Sequence, residues 1–414
     1  MSDGLVLFSS FRGLPREAKY LIYSAILPFA AYGMFYTDLS YFLTSVQGLP
    51  IELMGVILTV MGVSTFVASI PLGAAADKYG RKRLHIGGNA LASAIIAVFA
   101  LTTNVAVLLA AAVVEGISEA ASAASANALL AEKAEEKRRT SAYSLFGFVQ
   151  SIAFGLGSLM IPVVMVFEGV GFTNRESHVL LYVILAVLSL SSTLFMFKIS
   201  ESRRLKRHGV SLRSLLPHKS RDPLVKYVLS SGLIAFGAGM VVPLMTAWLG
   251  LQYGISDAVS GPILGVSSLV TGVATLAAPV LARRIGLVKA ITLTQGFSTV
   301  FMFAIPLSPS YVSAGFAYTF RSFLMNMANP LEQSMIMGIV IEDERGAASG
   351  VSSALWSLPN ALSSIVGAYL MALGLLAAPF FLAGLFYVAS IMLFWYFFRS
   401  TKLPEDSINT DLEG

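Results

Sequence analysis

The chain alternates long apolar stretches with short joints of polar residues, glycine or proline. A helix that crosses a bilayer needs about 20 mostly apolar residues. Twelve runs meet that need, at 20–44, 51–76, 82–103, 105–131, 140–167, 178–198, 224–250, 257–282, 287–307, 310–340, 346–373 and 375–398. The joints carry turn signals such as Gly48-Leu49-Pro50, Lys78-Tyr79-Gly80-Arg81 and Ser308-Pro309. The pattern predicts an all-α membrane protein with twelve transmembrane helices. The first run is too long for a signal peptide and no small-residue cleavage site follows it, so it is expected to remain as the first helix.

A shift of 206 residues brings the two halves into register without a gap over a long stretch. Gly33-Met34 meets Gly239-Met240, and Gly48 meets Gly254. Gly55 meets Gly261, Gly80 meets Gly286, Glu136 meets Glu342, and Arg139 meets Arg345. The apolar runs superpose one with seven, up to six with twelve. The expected organisation is two pseudo-symmetric six-helix bundles, 20–199 and 224–399. A tail at 1–19, a polar linker at 200–223 and a tail at 400–414 complete it. Such parallel repeats are common in transporters.

Composition narrows the function. The chain is 56% hydrophobic and 12% charged, where a soluble domain carries about 25% charged residues, so an ordinary soluble enzyme is excluded. Net charge is +5 and pI is near 9.3, which by itself would suit a nucleic-acid partner. The placement of the charge says otherwise. With the N-terminus inside, 26 of the 28 Lys and Arg fall on the cytoplasmic side, as the positive-inside rule demands. Arg175 falls outside and Arg321 falls within a run. The expected place is therefore the cytoplasmic membrane with both termini cytoplasmic, the bilayer as partner, no nucleic acid, and a monomer.

The absence of cysteine removes disulfides, thiolate metal sites and cysteine nucleophiles. The histidines are His85, His178, His208 and His218, and none lies deep in an apolar run. A histidine-based metal site inside the membrane is not expected, and no cofactor is implied. HExxH, GxSxG and GxxxxGK[ST] motifs do not occur, which argues against an enzyme and a nucleotide-driven pump.

The most specific string is Gly73-Ala-Ala-Ala-Asp77-Lys-Tyr-Gly80-Arg81-Lys82-Arg83, between runs two and three. Gly73 is expected to permit close helix approach and Gly80 a tight turn. Asp77 is placed to accept hydrogen bonds at helix ends or to pair with Arg81, while Lys82 helps hold the loop in the cytoplasm. The string resembles the signature of the major facilitator superfamily. The second half carries a decayed copy, Pro279-Val-Leu-Ala-Arg283-Arg-Ile-Gly286, with Arg283 where Asp77 stands. The resemblance covers residues 20–399 and implies a transporter that works by alternating access, with this string as its gating motif. Two features depart from the family pattern. The fourth run, Ala112-Val-Val-Glu115-Gly116-Ile-Ser-Glu119, lacks the usual arginine. The glycine–proline motif of drug:proton antiporters is matched only in part by Gly147, Gly155, Gly157 and Pro162.

Ionisable groups inside membrane spans are costly and usually face a cavity or a partner. Asp38 and Glu119 are the proton-coupling candidates, since neither has a basic neighbour one turn away on its own helix. Glu115 lies one turn from Glu119 and aligns under the repeat with Arg321. The pair is read either as an ion bridge or as two cavity residues. Glu332 follows Asn329-Pro330 and either caps that kink or meets substrate. Asn326 and Asn329 share this methionine-rich run, which suits a soft metal ion, adaptable apolar contact or plain packing. Tyr36 and Trp356, with Tyr32, Phe35, Phe146 and Phe154, are candidate cavity walls. The Ala and Ser residues from Ala120 to Ala128 read as close helix packing. The resulting expectation is a multidrug-type, proton-coupled antiporter exporting a hydrophobic or cationic small molecule. The alternative is a symporter or facilitator for a sugar, an organic anion or a metal ion.

Overall fold

The structure is a computed structural model of the chain, and it describes residues 13–134, 139–191, 193–200, 220–340 and 345–400. All twelve runs are helices, and no strand occurs among the described residues. We number them α1 (Ile26–Tyr41), α2 (Ile51–Tyr79), α3 (Arg81–Leu101), α4 (Val105–Lys133), α5 (Arg139–Leu159) and α6 (Asn174–Ser191). The second half holds α7 (Arg221–Gly239), α8 (Asp257–Ile285), α9 (Leu287–Ala304), α10 (Tyr311–Ile339), α11 (Arg345–Ala372) and α12 (Ala378–Phe398). Nine helical stretches are long and apolar enough by length and composition to cross a membrane, among the described residues. Large apolar side chains such as Val67, Leu194, Phe297 and Tyr396 point outward. In water such a surface would be costly; against lipid tails it is the stable arrangement.

Among the described residues, three runs expected to be continuous are broken beside a proline. A proline lacks the N–H that would bond the carbonyl four residues back. Pro28 therefore leaves the carbonyl of Ser24, and a separate helix ends there (Arg16–Ser24). Pro162 leaves that of Ser158, and α5 ends at Leu159 before a short helix, Val163–Gly169. Pro243 leaves that of Gly239, where α7 ends; a 3-10 turn then leads into a helix over Met245–Tyr253. At its other end α1 continues as a π-helical turn, Phe42–Val46.

The repeat survives in three dimensions. The ends of α2 and α8 differ by 206 positions, as do those of α4 and α10. Gly48 and Gly254 both have positive φ, 72° and 66°, as do Gly80 and Gly286, 106° and 84°. Ser158 donates to the Gly33 carbonyl at 3.0 Å, and its counterpart Ser364 donates to the Gly239 carbonyl at 3.0 Å. Both glycines lie where a Cβ would collide with the facing backbone, at Phe154 and Asn360 respectively.

The chain divides into two compact units. The N-terminal unit holds α1, α3 to α6, most of α2 and the start of α8 (Asp257–Gly265). Inside it α1 packs on α5, and α3 on α4 and α6. Leu21, Ile22, Leu129, Leu130 and Phe146 belong to its core. The C-terminal unit holds α7, α9 to α12, most of α8 and the start of α2 (Pro50–Thr59). Its α7 packs on α11 and α12, and α9 on α10 and α12, with Ile291, Leu331, Met335 and Phe394 in its core.

Candidate functional site: a carboxylate-lined cavity

The N-terminal unit holds a partly open cavity of about 300 Å³. Helical spacing explains its walls. On α4 the residues Glu115, Ser118, Glu119, Ser122 and Ala126 share one face, and on α3 His85, Asn89, Ala92 and Ile96 do the same. Phe29 and Tyr32 on α1, with Phe146 and Gln150 on α5, also line it. No Lys or Arg lines it among the described residues.

Glu119 opens to the cavity and accepts from the Thr65 hydroxyl at 3.1 Å. Glu115 is buried, and its Oε2 has no hydrogen-bond partner. An unpaired buried carboxylate is expensive. Between α3 and α4, three residues form a closed ring that includes the Ser122 carbonyl. Asn89 donates to His85 Nε2 at 3.2 Å, Nδ1–H then donates to the Ser122 carbonyl at 3.2 Å, and Ser122 Oγ donates to Asn89 Oδ1 at 2.7 Å. The Ala and Ser stretch of α4 is thus more than a packing surface: Gly88 does pack against the Ser118 and Ser122 backbone, but Ser122 also holds this network.

The other predicted residues separate. Tyr36 stacks beside Tyr32, ring centroids 5.2 Å apart. Asp38 does not line the cavity; it is fully buried and accepts from Tyr182 at 3.0 Å. Of the candidate aromatics, Tyr32 and Phe146 line the cavity, whereas Phe35 is buried against Phe99 and Tyr182. In the C-terminal unit Arg321 donates to the Tyr387 hydroxyl, and its guanidinium lies 5.4 Å from the ring centroid. Glu332 does not cap the proline kink: Tyr227 donates to one oxygen at 2.8 Å and Gln295 to the other. Asn326 donates to the Ser322 carbonyl, Asn329 donates to Asn326, and Trp356 is exposed.

The histidine expectation needs correction. His85 lines the cavity on α3, and His178 is completely buried on α6, one turn inside the helix. It lies 3.0 Å from Asp257 and 3.9 Å from Asp38. The edge of an apolar run is not the edge of the fold, because a neighbouring helix can cover it. Asp257, Asn89 and Gln150 were also missed; a polar side chain inside an apolar run was the available signal for the last two.

The string between α2 and α3 behaves only partly as expected. Gly80 makes the tight turn with φ 106°. Gly73 does not permit close approach, since a Cβ there meets nothing within 4 Å. The side chain of Asp77 lies outside the described residues. Arg81 donates to the Ala128 carbonyl at 2.9 Å and pairs with Glu132 at 3.6 Å, and Lys82 donates to the Ile199 carbonyl at 2.8 Å. Lys133 then joins Glu132 to Glu17. Hydrogen bonds from Ser200, and next the Lys133 charge, hold the Glu17 carboxyl below its usual range.

The Major Facilitator Superfamily sequence profile matches residues 21–325 and 227–412, which together take in nearly the whole chain. The chain belongs to the Major Facilitator Superfamily. It is 21% identical over 385 residues to an uncharacterized membrane protein of Saccharomyces cerevisiae, YJR124C, covering 81% of this chain and 86% of that one. It is 29% identical over 120 residues to the inner membrane transport protein YajR of Escherichia coli, covering 29% of this chain and 26% of that one. In fold it is similar to a variant of the nucleoside transporter NupG, with TM-score 0.77 and 13% identity, over 92% of this chain and all of that one. As a superfamily member the protein is an integral membrane transporter of small molecules and not an enzyme.

Proposed function

We propose that this transporter works by alternating access and exports a cationic or hydrophobic small molecule in exchange for protons. The observation that carries the reading is the pairing of Glu115 and Glu119 on one aromatic-walled cavity whose described lining holds no Lys or Arg. Two carboxylates one turn apart repel each other when both are charged, so a proton or a substrate cation relieves the same site. Competition between the two ligands couples their movements. Glu119, open to the cavity and held by Thr65, is the coupling carboxyl in this reading. The aromatic rings of Phe29, Tyr32 and Phe146 suit a flat or lipophilic cation. In this reading the protein is a monomer of the cytoplasmic membrane, and the basic loops support both termini inside. The Gly73–Lys82 string acts as the gate, with Asp77 as its switch.

A second reading is a facilitator or symporter for a neutral polar solute. The His85–Asn89–Ser122 ring and Gln150 offer hydrogen bonds for one, and the fold is shared with a nucleoside transporter.

Proteoliposomes decide between them. Tetraphenylphosphonium should accumulate against a pH gradient, and uridine should not. In counterflow at equal pH the Asp77→Asn variant should bind tetraphenylphosphonium normally but exchange it more slowly. Gradient-independent uptake of uridine would replace the first reading with the second. A wild-type rate in Asp77→Asn would remove the gating assignment.

A further inference from the structure

Outside the cavity, the N-terminal unit holds a second polar cluster, built from the end of α1, the start of α6 and the first residue of α8. Asp38, His178 and Asp257 are 0%, 0% and 1% exposed. Their ligand atoms all lie within 4.8 Å of one another. None lines the cavity.

The histidine tautomer constrains what the cluster can hold. His178 Nδ1 is 2.8 Å from the Asn174 carbonyl, which only accepts, so Nδ1 carries a hydrogen. Nε2 of the neutral ring is then a lone pair. It points at Asp257 Oδ2, 3.0 Å away, with Asp38 Oδ2 at 3.9 Å. Three acceptors facing one point repel unless a cation sits among them. A proton on Nε2 would bridge the Asp257 pair. It would leave Asp38 Oδ1, which is buried and has no hydrogen-bond partner, and one net negative charge sealed from water. A divalent ion bonds all three side chains and cancels both carboxylates.

The distances suit this. Zinc bonds of about 2.0–2.2 Å in a tetrahedral site place neighbouring ligand atoms roughly 3.4 Å apart. The observed 3.0 and 3.9 Å bracket that value. The surroundings also match a metal site's outer layer, in which the second ring nitrogen bonds a carbonyl and the carboxylates are held by hydrogen bonds. Here Asn174 holds the imidazole and Tyr182 donates to Asp38 at 3.0 Å. Phe42 stacks on the imidazole at 5.4 Å and opens the π-helical turn, a rare element that recurs at functional sites. Under the 206-residue repeat the equivalent positions are Leu244, Gly384 and Ile51. The cluster is therefore no part of the duplicated scaffold.

We propose that Asp38, His178 and Asp257 form a binding site for one divalent first-row transition-metal ion, with zinc as the reference ion. The bound ion clips the first turn of α8 to α1 and α6.

The test uses the full chain, purified in detergent, stripped with a chelator and desalted, then titrated with zinc chloride. Bound zinc per chain is counted by elemental analysis, and melting temperature is followed in parallel. Wild type should retain one zinc and melt higher with it. His178→Gln and Asp257→Asn should each weaken retention at least tenfold. X-ray absorption of zinc-loaded wild type needs no variant to fold, and should show one imidazole among oxygen ligands. No zinc retained by wild type, retention unchanged in both folded variants, or a spectrum without a single imidazole would each overturn the proposal. All these readouts are binding measurements, so their failure leaves proton-coupled export standing, and the reverse.

Discussion

Glu119 and Arg321 are both ionisable groups placed within spans, yet their surroundings give them different parts. Glu119 is open to the cavity and accepts from Thr65, and in the proposed reading it exchanges a proton for a ligand. Glu119→Gln should abolish accumulation driven by a pH gradient while sparing exchange at equal pH, both read in proteoliposomes with tetraphenylphosphonium. Full accumulation in that variant would place coupling elsewhere. Arg321 is engaged by Tyr387 and by the Tyr387 ring. Tyr387→Phe should lower stability by about 1–3 kcal/mol, the cost of leaving a buried charged donor short of a partner. A double-mutant cycle with Arg321→Ala, read by thermal unfolding, should show coupling of at least about 0.5 kcal/mol. Additive effects would mean that the hydroxyl contributes nothing to holding the guanidinium.

At the scale of helices, the repeat makes a quantitative demand on glycine. Gly33 and Gly239 allow α1 to touch α5 and α7 to touch α11, with Ser158 and Ser364 bonding across each contact. A side chain at either position must push backbone away, since the nearest atoms are main-chain atoms. Gly33→Val and Gly239→Val should therefore each cost about 1–3 kcal/mol or more, whereas Gly73→Ala should be close to neutral. Melting curves in detergent test all three, and a neutral Gly33→Val would mean that the α1–α5 contact is looser than described. The ion-pair chain from Arg81 through Glu132 and Lys133 to Glu17 works differently, because it is electrostatic and partly wet. The lowered titration of Glu17 makes its contribution complete above the ordinary carboxylate range and lost as pH falls through its folded-state value.

For the whole molecule, the arrangement of charges makes a prediction about sidedness. The chain has no cysteine, so a single introduced thiol reports one position without background. Arg175→Cys should react with a membrane-impermeant maleimide in intact cells, and Lys206→Cys should react only after lysis. The opposite result would reverse the membrane orientation and, with it, the meaning of export. In either orientation, alternation of the spans puts the end of α1 and the starts of α6 and α8 on one side of the membrane, where Asp38, His178 and Asp257 meet.

Sequence alone determined the number of spans, the repeat at 206 residues and the superfamily motif. The physical reason is locality: a bilayer demands a satisfied helix for each span, and about 20 consecutive apolar residues report it without reference to any other segment. The breaks at Pro28, Pro162 and Pro243 were not legible, because Pro71, Pro330 and Pro359 lie inside helices that continue. The partners of the ionisable groups were decided by tertiary structure. Glu332 meets Tyr227 across 105 positions, and His178 meets Asp257 across 79. Which faces of those helices turn toward each other depends on how each helix is rotated in its bundle, and that rotation is set by many packing contacts at once. Hydropathy marks a residue as costly to bury; only the fold supplies the neighbour that makes burial tolerable.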